Sequence, residues 1–181
     1  MLLALVPGTN RAGSLSLKLA RQVAADYAAL GCQVDLLELN LGPEFLDPMA
    51  YKAPKPAVTA LVQRFLACDA AVFVIPEYNG SYPGILKLFV DMLPEREGFA
   101  QRPCAFIGLS AGQFSSLRSV EHFQGVAGYR NAYIFPTRVF IGDSFKRFAA
   151  DGTLIEPLFV ERLKAQAAGF VAFVRALKPT T

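Results

Sequence analysis

Pro76-Glu77-Tyr78-Asn79-Gly80-Ser81-Tyr82-Pro83-Gly84 lies between two apolar segments. Ala70-Ala71-Val72-Phe73-Val74-Ile75 leads into it and Ile85-Leu86-Lys87-Leu88-Phe89-Val90 leaves it. The first segment is short, with β-branched and aromatic residues, and reads as a strand buried on both faces of a parallel sheet. The second has helical character. Gly80 and Gly84 allow a turn and close backbone approach. Pro83 suits a helix start, with Ser81 as its expected N-cap. The stretch is therefore a strand–loop–helix junction at the carboxyl end of a central strand, where open α/β sheets gather ligands. A carboxylate, a phenol and an amide fall on three consecutive residues, more chemistry than a plain connection needs.

A chain of 181 residues with 53% hydrophobic and 18% charged residues suits one domain, residues 1–181, with a heavily buried sheet. The net charge of +3 comes from scattered Lys and Arg, which gives nucleic-acid binding no support. No apolar run is long enough to span a membrane. The amino terminus lacks a basic segment, breaks at Pro7-Gly8 and reads as a first strand rather than a signal peptide. Cys32, Cys68 and Cys104 are odd in number and far apart, so buried free thiols are expected and the chain reads as cytoplasmic.

In order, residues 2–6 form a first strand. The next segment has a helical stripe of Leu15, Leu19, Val23, Tyr27 and Leu30, ended by Gly31. Residues 32–39 form a second strand. Residues 40–56 hold Pro43, Pro48, Pro54 and Pro56 and are expected to lack regular structure, as a lid or an oligomer contact. A helix over 57–67, a strand over 69–75 and a helix over 84–93 follow. The last is apolar nearly all round, from which either burial within the monomer or cover by a second subunit follows. A strand over 104–109, a helix over 117–127, a strand over 132–141 bent at Pro136 and a helix over 156–177 complete the chain. The inward stripe of that last helix is Phe159, Leu163, Ala167, Phe170, Val174 and Leu177. Five strand–helix alternations predict a three-layer α/β/α fold with a five-stranded parallel sheet. Two orders fit, half a Rossmann fold and the flavodoxin-like 2-1-3-4-5; the latter would put the loops after strands one, three and four around one crevice.

The first loop offers Thr9, Asn10, Arg11, Ser14 and Ser16 at the mouth of a helix. Free N–H groups, hydroxyls and one guanidinium there suit a single phosphate group. Neither G-x-x-x-x-G-K-[ST] nor G-x-G-x-x-G after the first strand occurs, which argues against a P-loop and a tightly held dinucleotide. His122, the sole histidine, falls within a predicted helix away from any loop and reads as a surface or packing residue, so no nucleophilic triad and no metal site are expected. A ligand crevice without a nucleophile or base borrows its chemistry from a cofactor.

Gly8-Thr9-Asn10-Arg11-x-x-Ser14-x-Ser16 resembles the G-S-x-R-x-x-S-x-N loop of the NADPH-dependent FMN reductase family, flavodoxin-like reductases of quinones, azo dyes and chromate. Pro76-Glu77-Tyr78-Asn79-Gly80-Ser81-x-Pro83-Gly84-x-Leu86-Lys87 is similar to that family's P-E-Y-N-x-S-x-P-G-x-L-K, the specific part of the likeness. Ser110-x-Gly112-x-x-Ser115-Ser116-x-Arg118 resembles its S-x-G-x-x-G-G-x-R. The resemblance implies non-covalent FMN, with Thr9, Arg11, Ser14 and Ser16 on the phosphate. Pro76, Glu77, Tyr78, Asn79 and Gly80 would line the isoalloxazine, and Ser110, Ala111, Gly112 and Gln113 its other edge.

It also implies a homodimer or homotetramer and a ping-pong hydride transfer from NADPH or NADH, through FMN, to a small acceptor: a quinone, free flavin or azo compound. No residue is assigned to catalysis. Tyr78 or Tyr82 would wall the stacking site, and Glu77 reads as a structural carboxylate flanking the helix. Ser16 replaces an asparagine but still donates to phosphate. Ser115 and Ser116 replace two glycines, and serine there carries strain if the positions need φ > 0. The other readings are a flavodoxin-like electron carrier, opposed by the +3 charge and Arg11, and a flavin-free ligand-binding protein on the same fold.

Overall fold

Strand β1 (Leu2–Pro7) pairs in parallel with β2 (Gln33–Leu36) on one side and β3 (Ala70–Pro76) on the other. Strand β4 (Pro103–Leu109) pairs with the far side of β3. These contacts come from a computed structural model, which describes residues 1–53 and 55–177. Pro54, one of the four prolines of the long loop, lies outside the described residues. The expected fifth strand is two short pieces, β5 (Tyr133–Ile134) and β6 (Val139–Ile141), both parallel to β4. The sheet order is β2-β1-β3-β4-β5, with β6 also on β4, and this is the flavodoxin-like order.

Alternate residues of each central strand feed opposite cores. Leu3, Leu5, Val72, Val74, Ile107 and Leu109 pack against helices α1 (Leu15–Ala29) and α6 (Pro157–Leu177). On the other face Phe73, Ile75 and Phe106 meet α2 (Pro56–Leu66), α3 (Gly84–Asp91) and α4 (Leu117–Tyr129). All seven residues of β3 and of β4 are buried, which is why these strands read as unbroken apolar runs. On the α2/α3/α4 face Phe73 stacks on Phe99 and Phe106 at 6.0 and 5.9 Å and meets Phe123 edge-on at 4.9 Å.

Several details depart from the sequence expectations. The loop after β2 is not irregular: two 3₁₀ turns, Pro43–Leu46 and Pro48–Tyr51, each start on a proline, whose fixed φ suits a first helical position. On α3, Leu86, Phe89 and Val90 are buried, while Ile85, Leu88 and, just past its end, Met92 are only partly covered. The short helix α5 (Ser144–Arg147) was not anticipated. Leu177 is 40% exposed, whereas Gln166, outside the expected stripe, is 1% exposed. The three thiols are free and buried, as expected. Burial pushes Cys68 up to about 11 and Cys104 up to about 12. Among the described residues no helix is long and apolar enough to cross a membrane.

Gln166 is buried because the fifth strand is broken. Phe135 N–H donates to the Cys104 carbonyl at 2.9 Å, and pairing resumes only at Ile107 with Val139. The Phe106 carbonyl, two residues on and facing the same side, is left over by this break. Gln166 Nε2 donates to it and to the Thr137 carbonyl, both at 2.9 Å. Gln166→Leu orphans both acceptors and is expected to cost about 3 kcal/mol, each unsatisfied buried group costing ~1–3 kcal/mol. Urea denaturation of the two proteins checks this, with an unchanged midpoint as the contrary result.

Candidate functional site

Parallel pairing sends the carboxyl ends of β1, β3, β4 and β6 to one rim. The first loop opens at Gly8, whose N–H donates to the Val74 carbonyl at 2.8 Å. Ser14 then caps α1, its Oγ accepting from Leu17 N–H at 3.2 Å. The first turn of α1 carries no acidic residue, and among the described residues the exposed Arg11 guanidinium has no partner. A helix amino terminus beside an unpaired guanidinium is an anion site in waiting.

The second loop is a tight hairpin turn. Tyr78 and Ser81 exchange backbone hydrogen bonds at 2.8 and 3.1 Å, and Asn79 and Gly80 between them have φ of 52° and 78°. Positive φ at both central residues is the type I′ pattern that Asn-Gly favours. Ser81 does not cap α3; Pro83 holds that position. The Ser81 hydroxyl instead lies 2.9 Å from His122 Nδ1 on α4. The placement of His122 away from any loop is thus corrected: it is an exposed residue that ties α4 to the motif turn. The helical period of α4 was legible, but not which face it turns toward residue 81. Tyr82 packs edge-on against Phe123 at 5.3 Å, which leaves Tyr78 as the tyrosine at the site.

One cavity of about 310 Å³ brings the loops together. Arg11, Ser14 and Ser16 line it from the first loop, Pro76, Glu77 and Tyr78 from the second, and Ser110 and Ala111 from the third. Glu77 N–H donates to the Leu109 carbonyl at 3.2 Å, linking the second and third loops. Thr9 lies just behind. Its Oγ1 accepts from Arg11 N–H and shares a hydrogen bond with the Tyr78 hydroxyl, both at 3.1 Å, and it faces a smaller cavity of about 80 Å³. Asn79, Gly80, Gly112 and Gln113 do not line the larger cavity. Ser144 and Phe145 do, and the sequence reading missed them. Their only signal was position just after the fifth strand, at the same rim.

The expected strain at Ser115 and Ser116 is present, with φ of 57° and 64°. Two glycines make room for their side chains: a Cβ on Gly142 would stand 2.3 Å from Ser115 Oγ, and one on Gly108 would stand 3.1 Å from Ser116 Cβ. Ser116 is fully buried and donates to the Ile75 carbonyl at 2.9 Å, whereas Ser115 reaches only the nearby Gln113 carbonyl at 3.2 Å.

The residues present fit a planar mononucleotide. An anion-binding helix end lies at one part of the cavity and Pro76, Tyr78 and Leu109 supply apolar surface at another. Glu77 has no partner for a buried oxygen, Oε2, and the hydroxyl of Ser16, a residue only 3% exposed, is unpaired as well. The Ser16 hydroxyl lines the cavity and is free to meet a polar guest there. The fold and the cavity together define a flavodoxin-like protein with a mononucleotide cradle.

The model of the NADPH-dependent FMN reductase family matches residues 1–146, and the chain belongs to that family. It is 27% identical to an NAD(P)H-dependent FMN reductase of Pseudomonas aeruginosa over 96% of this chain and 95% of that one. An FMN-dependent NADPH-azoreductase of Staphylococcus haemolyticus is 26% identical over 94% and 93% of the two chains. The solved structure of a flavoenzyme NAD(P)H:(acceptor) oxidoreductase from Paracoccus denitrificans superposes with a TM-score of 0.81, at 22% identity and 97% coverage of both chains.

The two strained serines are expected to respond with opposite signs. Ser115→Gly relieves ~1–2 kcal/mol of left-handed strain and loses ~0.4–1 kcal/mol through the unfolded chain, a net gain of up to about 1.6 kcal/mol. Ser116→Ala keeps the strain and orphans the Ile75 carbonyl, a loss of about 1–3 kcal/mol. Chemical denaturation at constant pH separates them, and a shift of the same sign for both would contradict the assignment.

Proposed function

We propose that this chain is an NAD(P)H-dependent flavoprotein oxidoreductase that holds FMN non-covalently in the 310 Å³ cavity and serves a quinone, free flavin or azo compound as acceptor. The observation that carries this reading is the meeting of the α1 amino terminus and Arg11 with residues 76–78 and 110–111 around one cavity. FMN, when bound, supplies the hydride chemistry, accepting from a nicotinamide and donating to a second substrate. The protein binds and orients. Arg11, Ser14 and Ser16 meet the phosphate, helped by the free N–H groups of the first turn of α1. Pro76 and Tyr78 offer a wall to the ring system. Thr9 fixes the Tyr78 hydroxyl and so holds that wall in place. The backbone N–H groups of Asn79 and Gly80, which have no acceptor among the described residues, are available to the ring's polar edge. The third loop, Ser110 to Gln113, forms the other edge of the site.

The whole chain, residues 1–181, acts as one unit in this reading, in the cytoplasm and as a homo-oligomer. Partly covered Ile85 and Leu88 on α3, with Met92 just past its end, support a second copy. So does an adjoining groove of about 400 Å³ between α3 and α4, where Tyr129 is 86% exposed. Sedimentation at micromolar concentration is expected to give a dimer or tetramer, and a monomer removes this part of the proposal.

Arg11→Ala is expected to weaken FMN binding by about 10- to 100-fold, since a hydrogen bond to a charged group contributes ~1.5–3 kcal/mol. Its thermal midpoint without flavin should stay at the wild-type value. Flavin fluorescence titration and a melting curve check both. Wild-type protein that retains no flavin on gel filtration after incubation with FMN, or that oxidises neither NADPH nor NADH with a quinone, free flavin or azo compound, defeats the reading as a whole.

A further inference from the structure

The end of the fifth strand is pressed against the third loop. Ser110 N–H donates to the Ile141 carbonyl at 3.0 Å, and Ser144 N–H donates back to the Ser110 carbonyl at 3.0 Å. Asp143 N–H reaches the Gly112 carbonyl at 3.4 Å from a left-handed conformation with φ of 47°. Gly142 permits this approach: a Cβ there would lie 3.1 Å from the Gly112 carbonyl oxygen. A strained residue held by neighbouring structure at the rim of a cavity is a common mark of a working site.

Two side chains follow from this path. Ser144 is 6% exposed, lines the cavity, and its hydroxyl has no hydrogen-bond partner among the described residues. Phe145 lines the same cavity, yet is 64% exposed. A cavity-facing hydroxyl without a protein partner, beside a largely exposed aromatic ring that has Lys146 Nζ over it at 5.4 Å, suits a guest that is polar on one part and apolar on another.

We propose that Ser144 and Phe145 form a fourth wall of the cofactor site: Ser144 Oγ donates to the ribityl–phosphate chain of the bound mononucleotide, and the Phe145 ring shields that chain from water. The inference rests on the FMN reading above and extends it to a segment outside the three motif loops. The hydroxyl can meet that chain because it shares the cavity with Arg11, Ser14 and Ser16.

The test uses the full chain loaded with FMN, then diluted, with recovery of flavin fluorescence as the readout of dissociation. Equilibrium titrations with FMN and with riboflavin, and melting curves without flavin, accompany it. Ser144→Ala is expected to raise the FMN dissociation constant about three- to tenfold, the worth of one hydrogen bond. An equal loss for riboflavin assigns the contact to the ribityl hydroxyls, and a loss for FMN alone assigns it to the phosphate. Phe145→Ala is expected to speed dissociation severalfold, whereas Phe145→Tyr keeps the wild-type rate. Flavin-free melting points should match the wild type in all three variants. If Ser144→Ala and Phe145→Ala hold FMN as the wild type does, the fourth wall is overturned while the FMN reading stands. If the wild type itself takes up no FMN, both fall.

Discussion

Parallel pairing of β1, β3 and β4 is the constraint on which the rest depends. Strands that run the same way must leave the sheet at the same edge, and each must return by a crossover helix. Leu3 opposite Ala70 and Val72 opposite Ala105 set this register deep in a core that excludes water. Residues 8–16, 76–84 and 110–116 thereby meet at one rim although they are far apart in the chain. Nothing in the loops need attract the others; the burial of the strands brings them together.

Strain gathers at that rim. Asn79, Ser115, Ser116 and Asp143 have positive φ and all belong to the loops that leave β3, β4 and β6. Asparagine tolerates this conformation well, and serine does so at a cost of ~1–2 kcal/mol. The surrounding packing offsets the cost. Gly108 and Gly142 leave space for the two serine side chains, and the Ser116 hydroxyl takes up the Ile75 carbonyl. A chain free to relax would not keep such a path, so these loops are held in shape before any guest arrives. Preorganised loops lose little entropy on binding.

The cradle is suited to one anionic group and one flat apolar one. The amino end of α1 and the Arg11 guanidinium, unpaired among the described residues, provide for the first, and Pro76, Tyr78 and Leu109 for the second. The Thr9–Tyr78 hydrogen bond couples the two ends, so a residue of the first loop also positions the tyrosine on the apolar side. His122 adds a brace from outside through Ser81, which fixes the turn from the α4 side.

Local physics was legible in the residues alone. An unbroken apolar run marked β3, period-four stripes marked α1 and most of α6, and Gly80 marked the turn, because each depends on neighbours within a few positions. The β/α alternation narrowed the sheet to two orders, and the resemblance of the three loop motifs to a flavodoxin-like family chose between them, which placed Arg11, Pro76 and Ser110 together. Contacts between distant segments were not legible. The break in the fifth strand, the burial of Gln166 beneath it, the Ser81–His122 brace and the place of Ser144 and Phe145 at the cavity were decided only in three dimensions. They depend on which backbone groups are left unpaired once the sheet has formed, and on which side chains lie close enough to answer them.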